Sequence, residues 1–313
     1  MRPAFSVIFL TTLIGAGQGL FLALYAIEIG ARLGIVESMP VPRFFAIGAL
    51  TAAALSGLGL VASFFHLGHP ERAWRAAAKW RTSWLSREVI VLPVFIGGVL
   101  AYAAAHGFGW MASPSIGFLT LIACIALFVC TGMIYACLKF LQEWASPLTL
   151  VNFFLLGAAS GTTLAAALAA WLAPVATGLY ARSAIALTLV ALAGRVASLA
   201  RNARLRPRSS LQTAIGIKHP RIVQKAQGFM GGSFNTREFF HGASKEKLRA
   251  IKWGFLLLTF PVPLLLLLAG LGSGVRAAYG LAFCMQYAGL LAERWYFFAQ
   301  ANHPQNLYYQ AIS

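Results

Sequence analysis

Residues 252–272 read KWGFLLLTFPVPLLLLLAGLG, with five consecutive leucines from Leu264 to Leu268. A membrane β-strand would alternate apolar and polar residues over roughly 10 positions; this run does the opposite. Roughly 20 apolar residues suffice to cross the hydrocarbon core as a helix. Backbone groups in that core must be satisfied within the segment, which leaves a helix as the remaining option. Outward from this run, similar apolar stretches recur at about 4–30, 43–66, 88–106, 115–140, 148–172, 177–200 and 276–298, making eight in all.

The composition agrees. The 313 residues are 59% hydrophobic and 11% charged, with no aspartate, whereas soluble domains carry about 25% charged residues. A soluble enzyme and a disordered chain are both excluded. The reading is an all-α integral membrane protein, a single polytopic domain over 1–313 with eight transmembrane helices. The first apolar stretch is too long for the 7–15-residue core of a signal peptide and lacks a small-residue cleavage site, so it is expected to be retained as the first helix.

Charge sets the expected topology. Of 25 Lys and Arg, only Arg32, Arg43, Arg182 and Arg276 fall at the end shared by the odd-numbered connections. The other 21 crowd the opposite end, mostly in segments 67–87 and 201–251. The positive-inside rule makes that end cytoplasmic, with both termini on it. The connector 201–251 is too long to be a plain link. It mixes its basic residues with Ile215, Ile217, Phe229, Met230, Phe234, Phe239 and Phe240, as a protein interface does. The tail 299–313 adds His303, Tyr308 and Tyr309. Arg72, Lys79, Arg81, Arg221, Lys225 and Arg237 are the candidate docking residues. Anionic lipid headgroups account for part of the charge; a nucleic-acid partner is not expected, because few aromatics interleave the basic residues.

Few polar residues fall inside the spans, where they are costly and usually functional. Gln18 sits near the middle of the first helix within Gly15-Ala16-Gly17-Gln18-Gly19, a spacing that admits a close helix neighbour and suits an interhelical hydrogen bond. Glu28 is expected to reach the interface, and Glu293 and Arg294 to pair with neighbours or snorkel. The four cysteines (Cys124, Cys130, Cys137, Cys284) form no CxxC pair, so no iron–sulfur cluster is expected in this chain. His66 and His106 fall at opposite membrane ends, and the other histidines fall outside the spans, which disfavours a bis-histidine haem. No metal site is expected.

The richest segment is 66–90, HLGHPERAWRAAAKWRTSWLSREVI. Gly68 suits a helix C-cap, Pro70 the start of a short amphipathic helix over the membrane surface, and Ser86 the cap of the third helix with Glu88 in its first turn. His66 and Glu88 then stand at the same depth on adjacent helices. A titratable histidine near a carboxylate at the membrane edge is what quinone chemistry needs, since it moves two electrons and two protons. The bland alternatives are an interfacial histidine and an acid that complements a helix dipole.

These residues, His66, Leu67, Gly68, Pro70, Arg72 and Ala73 followed by Ser86 and Glu88, resemble the membrane anchor subunit of the dimethyl sulfoxide reductase family, and the likeness covers essentially the whole chain. The resemblance implies two four-helix bundles and a partner carrying four iron–sulfur clusters. That partner in turn binds a molybdopterin catalytic subunit. It also implies electron exchange with ubiquinone or menaquinone through a haem-free anchor, with His66 and Glu88 at the quinone. Arg75 and Arg87 are nearby cations that could hydrogen-bond the quinone, and Gln18 is a further candidate for binding or proton relay. The cytoplasmic basic face favours the sulfite-oxidising, quinone-reducing branch of the family. The alternatives are a menaquinol-oxidising anchor of a dimethyl sulfoxide or other oxide reductase, an anchor without quinone, and a secondary transporter, for which no four-plus-four repeat is visible.

Overall fold

The computed structural model describes residues 1–37, 39–226 and 238–308. Eight long helices follow in order: α1 (Phe5–Arg32), α2 (Pro42–Phe64), α3 (Trp84–Gly107), α4 (Ser113–Ala136), α5 (Pro147–Leu172), α6 (Pro174–Ala203), α7 (Lys245–Ser273) and α8 (Ala277–Ala299). The first seven are long and apolar enough to cross a membrane. The eighth has 23 residues, about 34 Å at 1.5 Å per residue, and runs against α7 and α5. Helix starts follow local chemistry. Proline occupies the first turn of α2, α4, α5 and α6, where its missing N–H costs nothing. Ser83, Ser146 and Ser244 cap α3, α5 and α7 by accepting from Ser86, Leu148 and Lys247 backbone N–H groups.

Two local expectations are corrected. Ser83, not Ser86, caps the third helix, so α3 begins three residues earlier than that cap implied and Glu88 lies a full turn inside it. Gly68 does not end α2; the helix closes at Phe65 in a right-handed conformation. The short helix after Pro70 is present as a 3₁₀ helix, Pro70–Lys79.

Helices α1–α4 pack together, as do α5–α8, and the two groups meet chiefly along α1 and α5. That seam is made by glycines. A Cβ added at Gly19 would fall onto the carbonyl oxygen of Gly157, and one at Gly161 onto the backbone of Gly19 and Leu20. A Cβ at Gly157 would sit 2.9 Å from the Gly15 carbonyl oxygen. Two small-xxx-small patterns, Gly15/Gly19 and Gly157/Gly161, therefore bring the backbones together.

α7 is broken at Phe260, where φ is −118° and ψ −77°, because Pro261 and Pro263 cannot donate to the preceding turn. The Gln286 side chain on α8 answers the break. Its Nε2 donates to the carbonyl of Thr259 at 3.4 Å, the group Pro263 leaves free, and to Thr188 Oγ1 on α6 at 3.1 Å. Such replacement partners are what let proline stand inside a membrane helix.

At the basic end the N-terminus, connector and tail interlock. The Met1 amine donates to Ala301 O at 2.8 Å, Arg2 N to Glu238 O at 2.9 Å and Asn306 Nδ2 to Phe239 O at 3.0 Å. The ring of His303 stacks on Phe239 with centroids 3.8 Å apart. These contacts place the N-terminus, the connector at Glu238 and Phe239, and the start of the tail on one side.

The glycine seam yields a contrast. Gly161→Ala is expected to cost at least about 1–3 kcal/mol by overpacking, read as a lowered thermal midpoint and a broadened size-exclusion peak in detergent. Gly97→Ala, whose added Cβ meets nothing within 4 Å, leaves both unchanged.

Candidate functional site

The His66 region is built by the end of α2 and the surface helix that follows it. His66 lies two residues past α2 and is exposed. Crowding on its protein-facing side holds its pKa below the ordinary 6.5. Next to it, Phe65 closes one end of an apolar groove of about 400 Å³ between α1 and α2, walled by Phe9, Leu13, Leu58 and Val61. The groove is apolar and opens toward the hydrocarbon, and His66 stands beside it rather than in its lining.

Glu88 is placed differently. It is 6% exposed and accepts a hydrogen bond from Thr131 Oγ1 on α4. No hydrogen bond joins it to His66 among the described residues. Glu88 thus faces the interior of the α1–α4 bundle, and His66 its lipid and solvent edge. Arg87 is tied down: Nε donates to Trp80 O at 2.9 Å, Nη2 to Arg81 O at 2.8 Å, and its guanidinium lies 4.2 Å from the Trp84 ring centroid. Arg75 and Arg81 lie over Trp74 and Trp80, both at 5.4 Å, so the surface helix presents cations backed by aromatic rings. His69 Nδ1 meets Glu71 at 3.0 Å, and Arg72 Nε lies 3.6 Å from the same carboxylate. Arg72, Lys79, Arg81, Arg221 and Lys225 are exposed on this end. Arg237, with Phe229, Met230, Phe234 and Tyr309, lies outside the described residues.

Gln18 is 1% exposed and donates to the Cys124 carbonyl on α4 at 2.9 Å. That is the interhelical bond its position suggested, and it sits mid-helix, away from His66 and Glu88. Among the described residues no group of three metal-ligating side chains is present.

Two ionic centres have partners that the sequence reading did not name; the pairing expected of Glu293 and Arg294 is one of them. Near the basic end, Arg195 on α6 meets Glu293 on α8 at 2.9 Å, and Arg294 lies 3.6 Å from the other carboxylate oxygen. The Arg294 guanidinium lies 3.7 Å from the centroid of Phe153 on α5. All three ions are nearly inaccessible, at 1–4% exposure, and two cations against one anion leave a buried positive charge under an already basic face. At the opposite end, Glu28 does not reach the interface as expected; it is fully buried. It accepts from Tyr102 Oη at 2.6 Å, Ser113 Oγ at 2.7 Å and Arg32 Nη2 at 3.1 Å, with His106 Nε2 at 3.4 Å. One sign was readable: Glu28 and His106 both lie within about one turn of the last residues of α1 and α3, at the same membrane end. Nothing in the residue order reveals that Arg195 and Glu293 meet.

Eight packed membrane helices, a basic face where connector and tail interlock, and a histidine at an apolar groove define a polytopic anchor. The family model for the DMSO reductase anchor subunit (DmsC) matches residues 2–218, and the chain belongs to that family. It is 53% identical, over the whole length of both proteins, to a sulfite dehydrogenase subunit from Allochromatium vinosum.

The buried ion triad is testable. Glu293→Gln strands two buried guanidinium groups and is expected to cost about 3–5 kcal/mol, read as a large fall in thermal midpoint in detergent. Glu71→Gln, which touches only exposed partners, leaves the midpoint within error.

Proposed function

We propose that this chain anchors an iron–sulfur subunit and a molybdopterin catalytic subunit to the bacterial cytoplasmic membrane, and passes electrons between the partner's four clusters and the membrane quinone. Sulfite is the proposed electron source. The observation that carries this reading is the 53% identity, from end to end, to a subunit of a sulfite dehydrogenase. The 21-to-4 split of basic residues supports it, since the positive-inside rule favours a cytoplasmic side for the proposed docking face of Arg72, Lys79, Arg81, Arg221, Lys225 and Arg237. The family description also names dimethyl sulfoxide reductase, which keeps quinol oxidation for an oxide reductase as the second reading. A quinone site can run in either direction.

Sulfite oxidation at the partner releases two electrons; quinone, as the membrane substrate, takes them up with two protons to become quinol. The residues of this chain hold and supply those protons. The apolar groove between α1 and α2 orients the isoprenoid tail so that the head group meets His66. The imidazole N–H donates a hydrogen bond to one quinone oxygen and, when protonated, gives up a proton to it. Glu88, held inside the bundle by Thr131, is the proposed relay that resupplies protons from the basic side. Arg75 and Arg87 raise the local positive potential, which favours electron arrival. Gln18 is bound to Cys124 at mid-helix and is assigned a packing role.

His66→Ala and Glu88→Ala are each expected to lower sulfite-to-quinone turnover at least about a hundredfold. Sulfite-to-ferricyanide activity and co-purification of the subunits should stay normal. Persistence of quinone turnover in both variants would exclude the site. Because the His66 pKa lies below 6.5, the ring is neutral at pH 7 and gains its proton only as pH falls through that lowered value. The quinone rate, normalised to the ferricyanide rate, is therefore expected to be flat above pH 6.5 and to rise below it. His66→Gln, which keeps a donor and cannot titrate, should abolish the rise.

A further inference from the structure

A second groove, of about 440 Å³, opens at the basic end between the start of α7 and the end of α8, on the far bundle from His66. Leu248, Arg249, Lys252 and Trp253 form one wall, and Tyr296 and Gln300 the other. The spacing explains the walls: positions 248, 249, 252 and 253 share one face of α7, and 296 and 300 are one turn apart on α8.

The chemistry of the groove is lopsided. Two cations face into it and no carboxylate lines it. Neither Arg249 nor Lys252 makes an ion pair or a side-chain hydrogen bond among the described residues. Gln300 Nε2 is shielded from solvent and also lacks a partner among them, an arrangement that native proteins seldom leave unfilled. Acidic neighbours do not supply the missing charge: Glu246 on α7 points to solvent, and Glu293 on α8 is committed to Arg195 and Arg294.

The position says which anion fits. Trp253 is 64% exposed, and Leu257, one turn deeper, is 55% exposed. An exposed tryptophan above an exposed leucine on a membrane helix marks the boundary between headgroup and hydrocarbon. The groove therefore opens sideways into the bilayer as well as upward. A ligand there can place a phosphate among the cations and an acyl chain along Leu257. Basic pockets between membrane helices on the cytoplasmic side hold anionic lipid headgroups on these terms.

We infer that this groove is a binding site for one anionic phospholipid. Arg249 and Lys252 hold its phosphodiester, Gln300 Nε2 donates to a phosphate or glycerol oxygen, and Trp253 and Leu257 flank the acyl chain. The site fills the groove between α7 and α8 beside the buried Arg195–Glu293–Arg294 triad, and it is independent of the quinone reading.

The test uses the full chain, purified in neutral detergent with the subunits that accompany it. Short-chain phosphatidylglycerol is titrated in and its binding read by native mass spectrometry. Wild type should hold one phosphatidylglycerol in preference to phosphatidylcholine, and millimolar inorganic phosphate should not displace it. The double variant Arg249→Ala/Lys252→Ala should bind about thirtyfold more weakly. Gln300→Leu should bind more weakly while keeping the preference for the anionic lipid, and Lys245→Ala, on the solvent side, should bind as wild type. Equal binding by the double variant and wild type overturns the proposal. So does displacement by inorganic phosphate, which would mark a plain anion site. Loss of the accompanying subunits from the double variant with phosphatidylglycerol binding intact would make the groove a protein-docking surface and also overturn it.

Discussion

The backbone contact between α1 and α5 at Gly15, Gly19, Gly157 and Gly161 is the constraint on which the rest of the protein depends. In a bilayer the lipid tails are as apolar as the helices, so helices associate through close packing and polar contacts rather than through exclusion of water. Here a Cβ at Gly19 or Gly161 would coincide with opposing backbone atoms. The stretch of α1 from Gly15 to Gly19, under two turns, serves three neighbours. Gly15 and Gly19 meet α5, Gly17 meets Ala52 and Ser56 of α2, and Gln18 bonds Cys124 of α4. α1 is thus the hub that holds the α1–α4 group against α5. It also forms one wall of the apolar groove that leads to His66.

The charges follow from that architecture. Ions inside a helical bundle must be paired or they destabilise it, and this chain pairs them at both ends. Glu28 gathers donors from α1, α3 and α4 at one end. Arg195, Glu293 and Arg294 tie α6 to α8 and rest on Phe153 of α5 at the other. Aromatic rings extend the second centre: Trp144 stacks on Phe297 at 5.3 Å, and its indole N–H reaches the Phe297 carbonyl. The basic end is therefore rigid beneath its exposed cations, a suitable base for a large soluble partner.

The eight helices were legible because each is a continuous apolar run, and their ends came within a few residues in most cases. The starts of α7 and α3 were the exceptions. α7 begins at Lys245, seven residues before the apolar run, because its first turns carry Lys245, Glu246, Lys247 and Arg249; α3 begins at Trp84, ahead of the charged Arg87, so the apolar count began too late and Ser86 was taken for the cap. The helix break at Phe260 had its sign in Pro261 and Pro263, but the partner that repairs it, Gln286, is 27 residues away from the carbonyl it serves. Long-range pairing is what residue order hides. Glu28 and Ser113 are 85 positions apart, and the bond between Arg195 and Glu293 depends on how α6 and α8 cross. The site was legible as residue types near one membrane end. Their division, with His66 on the outer edge and Glu88 inside the bundle, follows from the register of α3 against α4, which periodicity does not report.

The central claim is that the basic face, where connector, N-terminus and tail interlock, looks into the cytoplasm and receives the partner there. Labelling with a membrane-impermeant maleimide tests it directly, using Lys225→Cys in a background where Cys137 and Cys284, the two exposed native thiols, are serine. The account predicts labelling in inside-out membrane vesicles, protection when the soluble subunits are bound, and no labelling in intact spheroplasts. Labelling of intact spheroplasts, with inside-out vesicles inert, would contradict it.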